Sequence, residues 1–285
     1  MIGGVLAFFA LLSAGLVGGA DFLGGLAARR MWPVRVAARG QGVGFVLSLP
    51  LAIGIAAHRL TAADVAWSAG SGLAVGIGLA FFYSAMALGQ ISIVTPISAL
   101  VGTLLPVTVG LARDHRPGTP ALVGMGAALL AIGIVSVAPS AGTVAAAAAR
   151  RSLVSAVIAG VCFGMFLVCL AQVGKASGLW PIAISRGVSA GSLALVVLVA
   201  RSRDRAPARH LARLIVSTGA LEIVGVVSLL LALRHGPLAI ASVLGALYPV
   251  TTVLLAAFLL HERLTRLQLT AVILALGSVV LVSTG

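Results

Sequence analysis

The sequence predicts an all-α membrane protein with ten transmembrane helices in two inverted five-helix repeats, and three observations support this fold class. Of the 285 residues, 60% are hydrophobic and 9% are charged, whereas about a quarter of the residues in a soluble domain are charged. Ten apolar runs have about the length that a helix needs to cross ~30 Å of hydrocarbon. Motifs of the first half also return in the second half at a nearly constant spacing.

The ten runs are continuously apolar rather than alternating, which excludes a transmembrane β-barrel. Because lipid offers the backbone no hydrogen-bond partners, each run is predicted to be a helix. The first run has no basic residue before it and no small-residue cleavage site after it, so we expect a retained helix rather than a secretory signal. The predicted spans are 2–26, 34–57, 65–88, 91–112, 120–138, 153–174, 181–200, 214–233, 238–260 and 267–284.

An internal duplication is visible in the spacing of several polar residues. Arg39 and Arg186 each follow a Trp-Pro pair by a few residues and each precede a glycine. These two arginines are separated by 147 residues, and so are His115 and Glu262, which lie in matching connections. A shared offset at two distant places is hard to obtain by chance, so the two halves are predicted to be repeats.

The repeat boundaries follow from this offset. The first repeat is predicted at 1–138, a linker at 139–152 and the second repeat at 153–285. Since each repeat holds an odd number of spans, the second enters the membrane in the opposite orientation to the first. Inverted repeats of this kind are typical of secondary transporters, which place the substrate site near the membrane midplane where the repeats meet.

Six short stretches match the pattern of a known family, and these are 21–25, 27–30, 96–100, 248–250, 260–265 and 277–279. Together they resemble the two repeats of the EamA family, which belongs to the drug/metabolite transporter superfamily of ten-helix carriers. The resemblance covers essentially the whole chain. One departure is that His115 stands where the family usually has Glu, whereas Glu262 keeps that residue in the second half. The resemblance implies an export-type carrier of small organic solutes such as amino acids, other metabolites or drugs.

Two of the six acidic residues fall inside predicted spans. Glu222 lies close to the bilayer centre, where a charge costs at least ~2.5 kcal/mol. A carboxyl there stays neutral unless a cation is nearby, so we predict a proton-coupling site; the alternative is a structural carboxyl bonded to a neighbouring helix. Asp21 lies nearer the end of its span. It is predicted to bind a substrate amine or to pair with Arg39, and the alternative is a helix-end carboxylate anchored in water.

Arg39 and Arg186 lie about 9 Å into their predicted helices, at 1.5 Å per residue. A protonated guanidinium needs a carboxylate, a carbonyl or the interface. In one interpretation an arginine pairs with Glu222 or Asp21, or holds a substrate carboxylate. In the other both arginines snorkel to the interface, with the preceding tryptophans as belt residues.

The remaining candidates are polar or helix-breaking residues within spans. Tyr83, Tyr248 and Gln172 are candidate hydrogen-bonding residues of a cavity, although each is also a common packing or interface residue. Pro96, Pro106 and Pro249 break backbone bonds within predicted spans four and nine, and are candidates for gating or helix kinks. No catalytic residue and no metal ligand is predicted: two cysteines on one helix are too few for a metal site.

The predicted function is secondary active transport of a small organic solute across the cell membrane, by alternating access and with protons as the candidate coupling ion. The alternative is an integral membrane enzyme acting on lipid-linked substrates, which needs interfacial acid clusters or a nucleophile with a base. The sequence contains no paired-acid motif, no His-x-x-x-His and no Walker-type loop. We therefore expect no enzymatic activity and no cofactor, a multi-pass chain in the inner or plasma membrane of bacterial type, and a monomer. Its expected partners are the solute, protons and membrane lipid, without nucleic acid.

The net charge of +13 is interpreted as a topology determinant rather than a nucleic-acid footprint. Thirteen of the nineteen Lys and Arg residues lie in or beside the odd-numbered connections, and five lie in the even-numbered ones. The positive-inside rule then places the odd connections in the cytoplasm and both termini outside. The family resemblance implies cytoplasmic termini instead. A carboxy-terminal reporter that fluoresces only in the cytoplasm distinguishes these two predictions.

Overall fold

The computed structural model describes residues 2–55, 57–89, 91–113, 118–137, 146–200 and 209–259, together with scattered residues between 266 and 281. Its regular elements are helices, and the described residues contain no strand. The helices are α1 (Ile2–Ala28), α2 (Pro33–Gly54), α3 (Ala62–Leu88), α4 (Ile91–Arg113), α5 (Thr119–Val137), α6 (Ala146–Ala171), α7 (Trp180–Val199), α8 (Arg209–His235), α9 (Leu238–Gly245) and α10 (Tyr248–Leu259). A single 3₁₀ turn, Lys175–Ser177, precedes α7.

Several predicted features lie outside the described residues. These are the loop residues Asp114, His115 and Asp204, the element around Glu262, the first part of the predicted linker, 139–145, and most of the predicted tenth span. The second part of that linker is helical, because α6 begins at Ala146 rather than at 153. The scattered residues described between 266 and 281 are helical as well.

The starts of three helices show why the chain folds locally as it does. In α2 the first residue is Pro33, and in α7 Pro181 is the second residue. Proline suits a first helical turn because its missing N–H has no partner there in any case. The start of α3 is a capping box in which Thr61 and Asp64 bond each other's backbone N–H groups. Asp64 Oδ1 also accepts from the Gly174 N–H at 2.8 Å, which ties α3 to the loop before α7.

The predicted ninth span, 238–260, is not one continuous helix. It is divided into α9 and α10 by a turn at Ala246 and Leu247. Pro249 is the second residue after the turn, and its ring and missing N–H prevent the α9 hydrogen-bond pattern from continuing through it. The predicted ninth span is therefore two helices rather than one, and a role of Pro249 in gating stays a prediction.

Seven helices of the described part are long and apolar enough to cross a membrane: α1 to α4 and α6 to α8. A shorter apolar stretch, Leu238–Thr252, accompanies them. The outer surface of the bundle is apolar too, since side chains such as Phe8, Val46 and Leu198 are 61%, 63% and 73% exposed. Exposed apolar surface on this scale marks contact with hydrocarbon rather than water. The chain is a multi-pass helical membrane protein.

Helices of the first half pack mainly on helices of the second half. The extensive contacts are α1 with α8, α3 with α6, α2 with α7, α3 with α7, α2 with α8, and α4 with α6 and α9; α1 also packs on α9 and α10. In this set, α1, α2, α3 and α4 of the first half correspond to α6, α7, α8 and α9–α10 of the second half. If each helix is exchanged for its counterpart, every contacting pair becomes a pair of the same set. The two halves are therefore interleaved rather than separate bodies.

Two pairs of glycines make equivalent close contacts in the two halves. Gly72 of α3 lies against the Ser185 carbonyl of α7, and Gly219 of α8 lies against the Gly40 carbonyl of α2. Gly78 and Gly225 allow the same helices, α3 and α8, to approach α6 and α1. Both pairs are separated by 147 residues, the offset found in the sequence. Small residues at such crossings let helix backbones approach in a membrane.

We expect Gly219→Ala to destabilise the protein. A Cβ at Gly219 would lie 2.6 Å from the Gly40 carbonyl oxygen and 2.8 Å from Val43 Cβ, and overpacking of this kind costs about 1–3 kcal/mol. The matched control is Gly191→Ala on α7, where a Cβ meets nothing within 4 Å and helix propensity improves. Thermal unfolding in detergent checks this: equal midpoints for the two variants would contradict the close α2–α8 contact.

Candidate functional site

A cavity lies where helices of both halves converge. Most of its wall is apolar, from residues such as Leu79, Phe163 and Val226. A few polar groups are set into this wall, as in other small-molecule sites. These polar lining residues are Ser13, Asp21, Ser98, Thr103, Arg186, Glu222, Ser242 and Tyr248.

Arg186, Glu222 and Gln41 form a closed buried triad on α7, α8 and α2. Arg186 Nη1 donates to Glu222 Oε1 at 2.6 Å and to Gln41 Oε1 at 2.7 Å. Gln41 Nε2 donates to both Glu222 oxygens at 2.9 Å. Arg186 is 1% exposed and Glu222 is 8% exposed. Arg186 is thus paired with Glu222 and does not reach to the interface.

The triad balances its own charges. One guanidinium and one carboxylate are held in contact away from water, and an amide from the first half satisfies both. A buried ion pair survives only when further hydrogen bonds offset its desolvation, and Gln41 supplies them. Arg186 Nη2 has no hydrogen-bond partner among the described residues although it is buried. Arg186 is also one of the residues that line the cavity.

Asp21 lies inside the bundle on α1 and not at a wetted helix end. It is 6% exposed and lines the cavity together with Glu222 and Arg186. Within the described part of the chain, no hydrogen bond or ion pair reaches its carboxyl group, so the predicted pairing with Arg39 is absent. The alternative of a carboxylate anchored in water is wrong as well, because α1 continues to Ala28 and the neighbouring helices enclose this turn.

Two hydroxyl groups mark the α4 and α10 side of the cavity. Ser98 Oγ and Tyr248 Oη are 3.4 Å apart, and both residues line the cavity wall. Ser242 of α9, one turn before the helix break, is 1% exposed and its hydroxyl has no partner in the described structure. The break between α9 and α10 therefore borders the cavity, through Gly245, Ala246 and Tyr248.

Tyr83 supports the cavity from behind rather than lining it. It is 1% exposed on α3, and its hydroxyl lies directly against Gly24, one turn beyond Asp21 on α1. A side chain at Gly24 would occupy the position of that hydroxyl. Tyr83 is therefore in the core beside the site, and we do not find it on the cavity surface.

The other candidates lie away from the cavity. Arg39 lies in α2, and its Nη1 is 3.6 Å from Met31 Sδ. Gln172, the first residue after α6, donates from its side chain to the Val168 carbonyl. Pro96 and Pro106 lie within the continuous helix α4. Neither Arg39 nor Gln172 belongs to the cavity wall. Snorkelling of Arg39 to the interface stays a prediction.

Sequence reasoning missed Gln41 and Ser242. Gln41 lies two residues after Arg39, on the opposite side of α2. Its closeness to Arg39, the repeat counterpart of Arg186, was the only pattern that indicated a role for it. Ser242 is one of many serines in apolar runs and carries no distinguishing pattern. No group of three or more His, Cys, Asp and Glu residues in the described ranges is placed to hold a metal ion.

We expect Gln41→Met to lower stability by about 1–3 kcal/mol, because the Glu222 carboxylate loses both amide hydrogen bonds while staying buried. Methionine has a similar volume, so the change removes hydrogen bonds rather than packing. Thermal unfolding measures the effect. An unchanged midpoint would mean that the Arg186–Glu222 pair does not depend on the first half of the chain.

Comparison with known proteins gives matches of two kinds. Residues 150–284 match the model of a family described as the EamA-like transporter family. A solved structure titled only "Crystal structure of protein" superposes with a TM-score of 0.70, covering 94% of this chain and 96% of its own, at 17% identity. That likeness concerns the fold alone. No curated protein matches the sequence.

Proposed function

Residues 150–284 match the model of the EamA-like transporter family, and from this match we propose that the protein is a secondary active transporter of a small organic solute. One observation carries the proposal. A cavity bounded by both halves of the chain is lined by the Arg186–Glu222 ion pair and by the Asp21 carboxyl group, all enclosed by apolar helices. Such groups are rare inside membranes and mark solute or ion pathways.

The proposal includes ten spans in two inverted repeats, at 1–138 and 153–285. The set of contacting helix pairs stays the same when corresponding helices of the two halves are interchanged. The contact glycines Gly72 and Gly219, and likewise Gly78 and Gly225, are separated by the same 147 residues. Both features are expected if each half has the same fold. Two halves that each contribute to one central cavity can then rock against each other and expose it to alternate sides of the membrane.

The interleaved packing supports alternating access within a single chain. Gln41 of the first half holds Arg186 and Glu222 of the second, so the triad spans the surface along which the halves would move. Because one chain already encloses the cavity, we propose a monomer in the inner or plasma membrane. Export of an amino acid, another metabolite or a drug is the proposed direction and substrate range.

Proton coupling is part of the proposal, with Glu222 and Asp21 as the two carboxyl groups of the cavity. We expect Glu222→Gln to slow solute movement driven by an imposed pH gradient, because the variant has no titratable group at this position and weakens the contact with Arg186. Uptake by proteoliposomes after a pH step measures it. Normal pH-driven transport by Glu222→Gln would remove Glu222 from the coupling mechanism.

The experiment that tests the proposed function is flux of a broad panel of amino acids, amines and organic acids into proteoliposomes. We expect at least one class to move faster than in protein-free vesicles and to accumulate when a pH step is applied. A protein that moves no solute from the panel under any gradient would contradict the transporter proposal, whatever its binding properties.

A further inference from the structure

The charges around the cavity do not balance unless Asp21 is compensated. Arg186 and Glu222 neutralise each other at 2.6 Å, which leaves the Asp21 carboxyl as the excess acidic group of the lining. A buried carboxylate without a partner is strongly disfavoured. It is therefore either protonated or neutralised by a cation that enters the cavity.

In the part of the chain that the structure describes, the groups around Asp21 leave its negative charge uncompensated. Glu222 on α8 is paired with Arg186 on α7, and Tyr83 on α3 and Tyr248 on α10 are neutral phenols. Helix α9 carries no titratable residue. The arginines of α2, at positions 35 and 39, precede Gln41 on that helix, and the Arg39 guanidinium lies against Met31.

The cavity wall fits the body of an organic cation. Phe163, Phe166 and Tyr248 line it with aromatic rings, and ring faces attract ammonium groups in desolvated sites. Leu79, Leu167 and Leu229 supply apolar contact. The described residues contain no group of three or more His, Cys, Asp and Glu side chains that would hold a metal cation.

We propose that the substrate class of this cavity is a small organic monocation, an amine or ammonium with an apolar body, which binds at Asp21 in exchange for a proton. This inference rests on the proposed function and adds the charge of the substrate to it. In the empty cavity the Asp21 carboxyl holds the proton. When the cation binds, that proton leaves to solvent and the carboxylate pairs with the ammonium group, so one positive charge replaces another.

The test compares three molecules that share a phenyl group and differ in charge: phenethylamine (a cation), phenylalanine (a zwitterion) and phenylpropionate (an anion). Purified full-length protein in weakly buffered detergent is titrated with each, and the pH change reports proton release. We expect phenethylamine to release up to about one proton per chain. Its apparent affinity should weaken by up to about tenfold per unit of falling pH once Asp21 is protonated in the empty protein.

Three variants make the test specific. Asp21→Asn imitates the protonated acid in size, so we expect it to fold, to release no proton and to bind phenethylamine at least about tenfold more weakly. Asp21→Glu keeps a carboxyl group and should retain proton release. Asp64→Asn, a change at the α3 cap outside the cavity lining, is the control for acids elsewhere and should behave as the original chain does.

The outcomes separate this inference from the proposed function. Equal phenethylamine binding by Asp21→Asn, tighter binding of phenylalanine or phenylpropionate, or no proton release with any amine would overturn the inference. Transport of the zwitterion or the anion in the flux panel, with Asp21→Asn unaffected, would overturn it while leaving the transporter proposal intact. Failure of all solutes in the panel would instead remove the proposed function.

Discussion

Arg186→Met should lower the free energy of unfolding by about 3–5 kcal/mol, the effect of leaving one member of a buried ion pair without its partner. Arg186 is 1% exposed and Glu222 is 8% exposed, so little water reaches the carboxylate that remains. Methionine fills much of the space that the arginine stem occupied. Thermal or denaturant unfolding in detergent, compared with the original chain, measures the loss.

The double variant Arg186→Met with Glu222→Met is the matched control. Apolar residues of similar volume often replace a buried ion pair without loss of stability, so we expect most of the lost stability to return. Transport should not return, because the charged groups of the cavity are then absent. If the double variant is as unstable as the single one, the Arg186–Glu222 contact at 2.6 Å is not the source of the effect.

Ser242→Phe should reduce transport at least about tenfold while leaving the protein folded. Ser242 is buried at the cavity wall, and its hydroxyl makes no hydrogen bond within the described structure. Losing that hydroxyl therefore breaks no internal contact, whereas the added ring occupies space that a solute needs. Solute flux in proteoliposomes is the measurement, with the unfolding midpoint as the check on folding.

Ser242→Ala is the control for this change, because it removes the hydroxyl without filling the cavity. We expect its flux to stay within a few-fold of the original chain, since one hydrogen bond to a ligand is worth about 0.5–1.5 kcal/mol. Full activity in Ser242→Phe would show that the solute does not pass through this cavity. Equal loss in both variants would instead assign the effect to the hydroxyl.

The class of fold was predictable because hydropathy along the chain reflects the solvent around each helix. Continuous apolar runs gave the positions of α1 to α8 to within several residues. The ninth span was predicted as one helix, whereas the structure has two helices separated by a turn at Ala246 and Leu247. Hydropathy gives no sign of this turn because residues 238–260 are apolar throughout. Pro249 carried the only local indication of that break.

The candidate site was predictable only where charge is rare. Glu222, Asp21 and Arg186 stand out inside apolar runs, and the structure brings all three to one cavity. The Arg186–Glu222 pair was one of several pairings that the sequence left open, because a pairing between helices depends on how they cross. Gln41 is an uncharged residue, so nothing in its own helix indicated that it would bond Glu222 on α8.

Asp21 shows the same limit in another way. Its distance from the predicted end of span one suggested an interface, yet α1 runs on to Ala28 and the surrounding helices enclose it. Depth in a bundle is set by neighbouring helices as well as by position along one helix. The 147-residue offset was the more reliable guide, since it recurs in the Gly72–Gly219 and Gly78–Gly225 contacts that hold those neighbours together.

Access to the cavity from both sides of the membrane is the central claim, and cysteine labelling measures it most directly. The chain has two cysteines, so Cys162→Ala with Cys169→Ala gives a cysteine-free background. Val17, a half-buried residue of the cavity wall, is then replaced by cysteine. The control is a cysteine at Phe8, which is 61% exposed on the apolar surface.

A charged thiol reagent that does not cross membranes is added to one face of sealed vesicles at a time. We predict that the Val17→Cys thiol reacts from either face, and that the Phe8→Cys thiol reacts from neither, because hydrocarbon excludes the reagent. A transported solute should slow the reaction at Val17→Cys from both faces. Reaction from one face only, with or without solute, would contradict alternating access through this cavity.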